Sequence, residues 1–145
     1  MKKILVILMF TIASLSVKAN DTIPYKDYST AISKQTMLDA LSHAYKFAYF
    51  SNLEQYMTSD VLLVMEIDSN STNEFLVPQD RICISLTDFY RQIDYGTYEV
   101  FSRQTEYCNY EYLVICYVYD IEKLVPVSLL FKTNSMGLIY YLVLK

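Results

Sequence analysis

The sequence has little of the chemistry that catalytic and metal sites use. It contains one histidine, His43, and three cysteines, and no stretch carries a specific catalytic or metal-binding motif. Zinc sites draw on closely spaced cysteines and histidines, so one histidine with three unpatterned cysteines is a poor set of ligands. We therefore expect no metal and no cofactor, and the sequence favours a noncatalytic protein over an enzyme.

The N-terminus has no hydrophobic run long enough to span a membrane. The apolar run at residues 4–15 is about a dozen residues long, whereas a helix needs roughly 20 to span a bilayer. It follows a basic start at residues 1–3 and precedes Val17-Lys18-Ala19, a small-residue pattern typical of signal-peptidase sites. No cysteine follows the run before Cys83, so a lipid-modified N-terminal cysteine is not available. We predict a cleaved signal peptide at residues 1–19 and an exported protein, periplasmic or secreted, with no membrane span after cleavage.

Clustered basic residues are also missing from the mature chain. Removing 19 of the 145 residues leaves 126, residues 20–145, which is the size of one domain. The leader takes 3 of the 12 basic residues with it, so 9 remain against 16 acidic ones, a net charge of about −7. Nucleic-acid binding depends on clustered lysine and arginine, and here they are scattered singly. We expect a single domain with no nucleic-acid partner.

The three cysteines allow at most one disulfide. Cys108 and Cys116 flank a predicted tight hairpin at residues 109–110, in which the cross-strand partners of Cys108 fall near residues 111–112. That pairing is therefore disfavoured. Cys83 with either of the others stays open, and three small buried hydrophobic residues is the interpretation we favour.

Helical periodicity indicates three helices. Residues 33–50 have no glycine or proline and place apolar residues at helical spacing, which predicts a long amphipathic helix. The capping-box pattern at residues 51–54 predicts a short helix to about Thr58. A similar pattern at residues 85–88 opens a third helix that ends by Gly96.

Alternating apolar residues predict strands elsewhere. Val61, Leu63, Met65 and Ile67 lie on one face of an extended run, followed by a polar loop at residues 68–73. Residues 75–84 are predicted to be extended, broken by Pro78. A β-meander then ends the chain, with strands at about residues 97–107, 111–119, 125–131 and 138–144.

This order of helices and strands resembles the NTF2-like (SnoaL-like) α+β cone, with helices packed on a curved antiparallel sheet. The resembling stretches are residues 44–65 (AYKFAYFSNLEQYMTSDVLLVM), 86–93 (LTDFYRQI) and 129–140 (LLFKTNSMGLIY). They are similar to the helix, turn and strand entry of that family, to its third helix and to its closing hairpin. A cystatin-like α+β domain is the structural alternative.

The resemblance implies a pocket between helices and sheet, but the family's catalytic positions are unfilled. Isomerase-like members carry a base carboxylate on the first strand, where this sequence has Met65, and strand alternation points the adjacent Glu66 to the opposite face. Cyclase-like members use a histidine with an aspartate, and His43 lies opposite the apolar face of its helix. The resemblance thus favours a noncatalytic domain that binds a small apolar ligand or a protein partner. The alternatives are an isomerase-like or cyclase-like enzyme that uses Tyr45 with Asp60 or Glu66, and a structural or assembly protein.

Tyrosine is unusually abundant, with 15 residues. A tyrosine buries a large apolar ring while its hydroxyl needs a partner, which suits a polar-lined pocket, although strands also favour aromatic residues. Several tyrosines fall on core-facing sides of the predicted helices. The candidate ligand-binding residues are Tyr45, Tyr49, Met65, Phe89 and Tyr90.

The second predicted strand of the meander, apolar on both faces, predicts self-association. One face carries Tyr112, Val114, Cys116 and Val118, and the other carries Leu113, Ile115, Tyr117 and Tyr119. Helices cover one face only, and monomers rarely leave a large apolar patch exposed. We therefore expect a homodimer packed through the outer face of the meander, an arrangement that also occurs in the NTF2-like family.

Overall fold

The computed structural model describes residues 31–68, 70–93, 95–105, 109–120 and 123–145. The predicted signal peptide, its cleavage point and Cys108 lie outside these residues. Within them, no helix is long and apolar enough to cross a membrane.

The described part contains two α-helices, a short 3₁₀ helix and six strands. In chain order they are α1 (Lys34–Phe47), the 3₁₀ helix (Ser51–Tyr56), β1 (Met57–Asp68), β2 (Ser71–Pro78), α2 (Gln79–Gln92), β3 (Tyr95–Gln104), β4 (Tyr110–Asp120), β5 (Lys123–Thr133) and β6 (Ile139–Leu144). The mixed α+β class is the one that the sequence predicts.

The six strands form one sheet in the order β2-β1-β6-β5-β4-β3. Neighbouring strands are antiparallel, except that β1 and β6 are parallel. The predicted meander is therefore confirmed as β3 to β6. Because β2 and β3 lie at opposite edges, the connection through α2 crosses one face of the sheet, and this face is buried.

Helix α1 begins and ends with specific caps. The Ser33 side chain accepts a hydrogen bond from the Thr36 amide, and the chain leaves the helix at Ala48, which has a left-handed conformation (φ 49°). The Arg91 side chain donates to the Ala48 carbonyl at 3.1 Å, which holds this turn in place. The helix therefore ends three residues before the predicted end, and the buried residues follow the predicted periodicity: Met37, Leu41, Ala44 and Tyr45.

Neither predicted capping box caps a helix. Ser51 is the first residue of a 3₁₀ helix that has no side-chain cap, and Ser85 lies in the interior of α2, which begins directly after Pro78. The prediction of extended chain up to residue 84 is therefore wrong beyond Pro78. Alternating and helical patterns are hard to distinguish over so few residues. Pro78 is the N-cap residue of α2, where the missing amide hydrogen of proline costs no helical hydrogen bond.

The buried face of the sheet is settled by strand alternation. Val61, Leu63 and Met65 of β1 are fully buried, as predicted, whereas Glu66 is exposed. On β4 the inward residues are Tyr112, Val114, Cys116 and Val118, all at most 2% exposed. The other face of β4 therefore points away from the helices. The polar loop predicted at residues 68–73 is shorter in the structure, because β1 reaches Asp68 and β2 begins at Ser71.

Two of the three cysteines are described, and both are free and buried. Cys83 lies on α2, with its thiol 3.7 Å from the Met57 sulfur, and Cys116 lies on β4. Burial raises the pKa of each thiol to about 12, so both stay protonated at neutral pH. A disulfide between them, left open by the sequence, is excluded, and the interpretation as small buried hydrophobic residues is confirmed for this pair.

Candidate functional site

The structure brings four of the five candidate ligand-binding residues into the core. Tyr45, Met65, Phe89 and Tyr90 are each at most 1% exposed. Tyr49 does not join them, since it is 41% exposed. The Arg91 guanidinium group lies over the Tyr49 ring, with 5.9 Å between the guanidinium carbon and the ring centre. The predicted core-facing position of Tyr49 is wrong because α1 ends at Phe47 and the left-handed residue that follows takes Tyr49 out of the helical register.

Aromatic rings pack together between α1, α2 and the sheet. We call this group the aromatic cluster, and its members are Tyr45, Phe50, Phe89, Tyr90, Tyr95 and Tyr98. The Tyr45 ring lies at its centre, 4.9 Å from the ring of Tyr90 and 5.1 Å from that of Phe50. Most pairs meet edge to face, which is the arrangement that aromatic quadrupoles favour.

The tyrosine hydroxyls of the aromatic cluster are hydrogen-bonded. Tyr45 donates to the Tyr90 hydroxyl at 3.0 Å. From β3, Tyr95 donates to the Tyr45 carbonyl at 2.5 Å and Tyr98 to the Ser42 carbonyl at 3.1 Å. Since the last carbonyls of a helix have no partner within it, Tyr95 satisfies a group that would otherwise be left unpaired. Sequence reasoning missed Tyr95 and Tyr98, because their partners are backbone atoms on another element.

Burial keeps these phenols neutral. Loss of solvation raises the pKa of Tyr45 well above its ordinary value, with a smaller contribution from Tyr90, and burial likewise raises the pKa of Tyr90. Burial raises the pKa of Tyr95 to about 12. At neutral pH Tyr45, Tyr90 and Tyr95 therefore offer hydroxyl groups for hydrogen bonding, but no phenolate that could act as a base.

The carboxylates considered for catalysis lie on the other face of the sheet. Val61, Leu63 and Met65 point inward from β1, so Asp60 and Glu66 point outward by alternation. The structure therefore brings neither of them to Tyr45. Within the described ranges, no three histidine, cysteine or acidic residues are grouped closely enough to hold a metal ion.

His43 is on the surface, as its position on the helical wheel predicts. Its ring lies 4.8 Å from that of Phe47, and Nδ1 is 3.3 Å from the Asn52 side-chain nitrogen. These groups border a surface cleft of about 340 Å³ that Asp39 and Tyr56 also line. The cleft is separate from the aromatic cluster.

Among the residues that the structure describes, one buried side-chain polar group has no hydrogen-bond partner. The Ser85 side chain is fully buried, and its hydroxyl makes no hydrogen bond. It lies one helical turn before Phe89 on α2, so the two side chains share a side of the helix. A buried hydroxyl left unpaired costs about 1–3 kcal/mol, which a water molecule or a polar atom of a ligand would offset.

Comparisons with known proteins identify the architecture. No family model and no curated protein matches the sequence. An NTF2-like design, Rd1NTF2_05 carrying five substitutions, matches 77% of this chain and 95% of its own, with a TM-score of 0.51 and 10% identity. The fold is NTF2-like. This confirms the predicted cone over the cystatin-like alternative.

Two natural proteins share this NTF2-like fold. A DUF4783 family protein from Bacteroides ovatus matches over 79% of this chain and 94% of its own, with 15% identity and a TM-score of 0.50. The orange carotenoid protein from Anabaena (Nostoc) sp. PCC 7120, in a structure binding canthaxanthin, matches over 92% of this chain with 15% identity and a TM-score of 0.53. The present chain spans 45% of that protein. At these identities the likeness concerns the fold alone.

Proposed function

We propose that this chain is an exported, noncatalytic NTF2-like domain that binds a small apolar ligand between its helices and its sheet. The observation that carries this proposal is the Ser85 hydroxyl, which has no hydrogen-bond partner although it is fully buried in a largely apolar and aromatic interior. Ligand sites are typically apolar with a few well-placed polar groups. Ser85 and the Tyr45–Tyr90 hydroxyl pair supply such groups.

The absence of catalysis rests on the residues around this interior. Met65 is the residue at the position where isomerase-like NTF2 proteins carry a base, and it is fully buried. The nearby phenols are neutral, and Asp60 and Glu66 point away from them. Binding is therefore the better-supported activity. The canthaxanthin bound by the orange carotenoid protein supports an apolar molecule as the ligand class.

We expect an apolar ligand to stabilise the protein through Ser85. The purified protein is titrated with canthaxanthin and with a panel of other hydrophobic metabolites, and thermal unfolding is followed by circular dichroism. A bound compound raises the unfolding temperature, and Ser85→Ala weakens its binding by about fivefold, the value of one hydrogen bond. The control is Ser135→Ala, because Ser135 is exposed on the β5–β6 turn.

Two results would contradict the ligand proposal. The first is an unchanged unfolding temperature with every compound, together with no small molecule detected by mass spectrometry in protein purified from its native host. The second is equal binding by the wild type and Ser85→Ala. If Ser85→Ala instead raises stability with no ligand present, the hydroxyl is unpaired in solution and holds neither water nor ligand.

The export part of the proposal predicts a defined N-terminus. Val17 and Ala19 are the small residues that a signal peptidase recognises, so the exported protein should begin at Asn20. Intact-mass spectrometry of the protein from the host's periplasm or medium measures this directly. Finding residues 1–15 retained in a membrane fraction would show that the segment is an anchor.

A further inference from the structure

A small cavity lies where the start of α1 meets the β5–β6 turn and the beginning of β4. Its volume is about 180 Å³, roughly six times the share of one water molecule in the liquid. No acidic residue is among the described residues that line it. The cavity is therefore free of lining carboxylates from the described part of the chain, although the protein as a whole has a net charge of −4.

The first turn of α1 presents free amide groups beside this cavity. The first N–H groups of a helix have no partner within it. The Ser33 side chain accepts from the Thr36 amide at 3.1 Å, but no described residue accepts from the amides of Lys34 and Gln35. The helix dipole adds partial positive charge at this end, and the first turn contains no acidic residue to balance it.

The first residue of α1 is a lysine that lines the same cavity. The Lys34 ammonium group lies 5.7 Å from the centre of the Tyr110 ring, and within the described ranges no carboxylate pairs with it. A cation at a helix N-terminus is repelled by the helix dipole. Lys34 is therefore unfavourable while the cavity holds no negative charge and becomes favourable once an anion lies between the ammonium group and the helix.

Tyr112 provides an observation that does not depend on the helix. It points inward from β4, is only 2% exposed and lines the cavity. Its hydroxyl makes no hydrogen bond to a described residue and, unlike the sealed Ser85 hydroxyl, opens on the cavity. Burial raises the pKa of Tyr112 to about 12, so the group remains a donor at neutral pH. An unpaired donor on a buried side chain indicates that the acceptor lies in the cavity.

We propose that this cavity binds a small oxyanion, either phosphate or a carboxylate, through the first amides of α1, the Lys34 ammonium group and the Tyr112 hydroxyl. Helix N-termini bind such anions because their amides and dipole act together, and hydrogen bonds to a charged acceptor are the stronger ones. The described lining includes no residue of α2, the helix that carries Ser85. The anion site is thus separate from the apolar ligand site and does not depend on it.

An NMR titration of the purified protein tests the site. Sodium phosphate or sodium acetate is added to the ¹⁵N-labelled protein while sodium chloride keeps the ionic strength constant, and the amide signals of Lys34 and Gln35 are followed. At least one of the two anions should shift these signals to saturation. Lys34→Gln should weaken the binding at least about tenfold, because it removes a charged donor, and Tyr112→Phe about fivefold, because it removes one neutral donor.

Lys46→Gln is the matched control for Lys34→Gln. Lys46 lies in the last turn of the same helix, and its ammonium group also lies over an aromatic ring, 5.5 Å from the centre of Phe47. Lys46→Gln should bind the anion as the wild type does. In chloride alone Lys34→Gln should keep or raise the unfolding temperature, since it relieves the repulsion by the helix dipole. A lysine that serves only to hold the Tyr110 ring would lower it on removal.

Three results would overturn the proposal. They are the absence of saturable shifts with both anions, equal binding by the wild type and Lys34→Gln, and a loss with Lys46→Gln as large as that with Lys34→Gln. Tighter binding of phosphate supports a phosphate-bearing ligand, and tighter binding of acetate supports a carboxylate. All of these outcomes leave the apolar ligand untouched, because Ser85→Ala tests that ligand separately.

Discussion

Val114→Lys should strongly destabilise the domain, whereas Leu113→Lys should leave its stability nearly unchanged. Val114 is fully buried on the helix-facing side of β4, and its neighbour Leu113 is half-buried on the outer face. A lysine that replaces Val114 must bury a charge without a partner, which costs on the order of 4 kcal/mol or more. Domains of this size are stable by about 5–15 kcal/mol, so the substitution would remove at least about a quarter of that stability and nearly all of it at the lower end of the range. Urea unfolding followed by circular dichroism measures the difference.

Two further variants control for the identity of the strand face. Cys116→Lys and Val118→Lys lie on the same side as Val114, with exposures of 0% and 2%, and should share its effect. Leu113→Lys should keep near wild-type stability. If Leu113→Lys unfolds the protein while Val114→Lys does not, the two faces of β4 are assigned the wrong way round.

Periodicity predicted the elements well where the pattern was long. Helix α1 and the buried face of β1 follow from spacing alone, because a period of 3.6 or 2 sustained over several residues decides which face is apolar. Tyr45 and Tyr90 meet in the core for the same reason, since each lies on the apolar side of its helix. The sequence could not choose which face of β4 the helices cover, because both faces are apolar.

Element ends and the hydrogen bonds of the site depend on contacts distant in sequence. The Phe50 amide, at the start of the 3₁₀ helix, donates to the Thr87 hydroxyl at 2.9 Å, so the serine that follows is not needed as a cap. Ala48 adopts a left-handed conformation for which alanine gives no local signal, and Arg91 holds its carbonyl. Tyr95 bonds to α1 only because β3 passes beside that helix. None of these partners is visible in a local pattern.

Ser85 shows how a capping-box pattern can predict a helix start at the wrong residue. A serine followed three residues later by an acidic residue predicts a helix start, and Ser85-Leu86-Thr87-Asp88 fits that pattern. Because the helix begins six residues earlier, at Gln79, the hydroxyl falls inside the core instead of at a helix end. An interior hydroxyl without a partner is costly, and this cost is the reason to associate Ser85 with a ligand.

Gly137→Ala should destabilise the domain by about 2–4 kcal/mol, because two effects add. Gly137 has a left-handed backbone (φ 77°), and a Cβ built there would lie 2.5 Å from the Ile32 carbonyl oxygen. The turn around it is held by the Asn134 side chain, which accepts hydrogen bonds from the amides of Met136 and Leu138. The turn therefore cannot move aside cheaply, and the Ile32 segment, whose amide donates to the Met136 carbonyl at 2.9 Å, would be displaced.

Gly96→Ala is the matched control, because Gly96 is the other glycine of the chain and a Cβ there meets nothing within 4 Å. Its φ is not in the left-handed region, so alanine should be neutral or should stabilise by about 0.4–1 kcal/mol by restricting the unfolded chain. Urea unfolding of both variants gives the comparison, and hydrogen exchange at the Ile32 amide reports whether the chain has left the β5–β6 turn. If Gly137→Ala matches Gly96→Ala in stability and the Ile32 amide already exchanges freely in the wild type, the close approach of residue 32 to this turn is not part of the folded protein. In that case the start of α1 would have to be positioned by its own buried face alone.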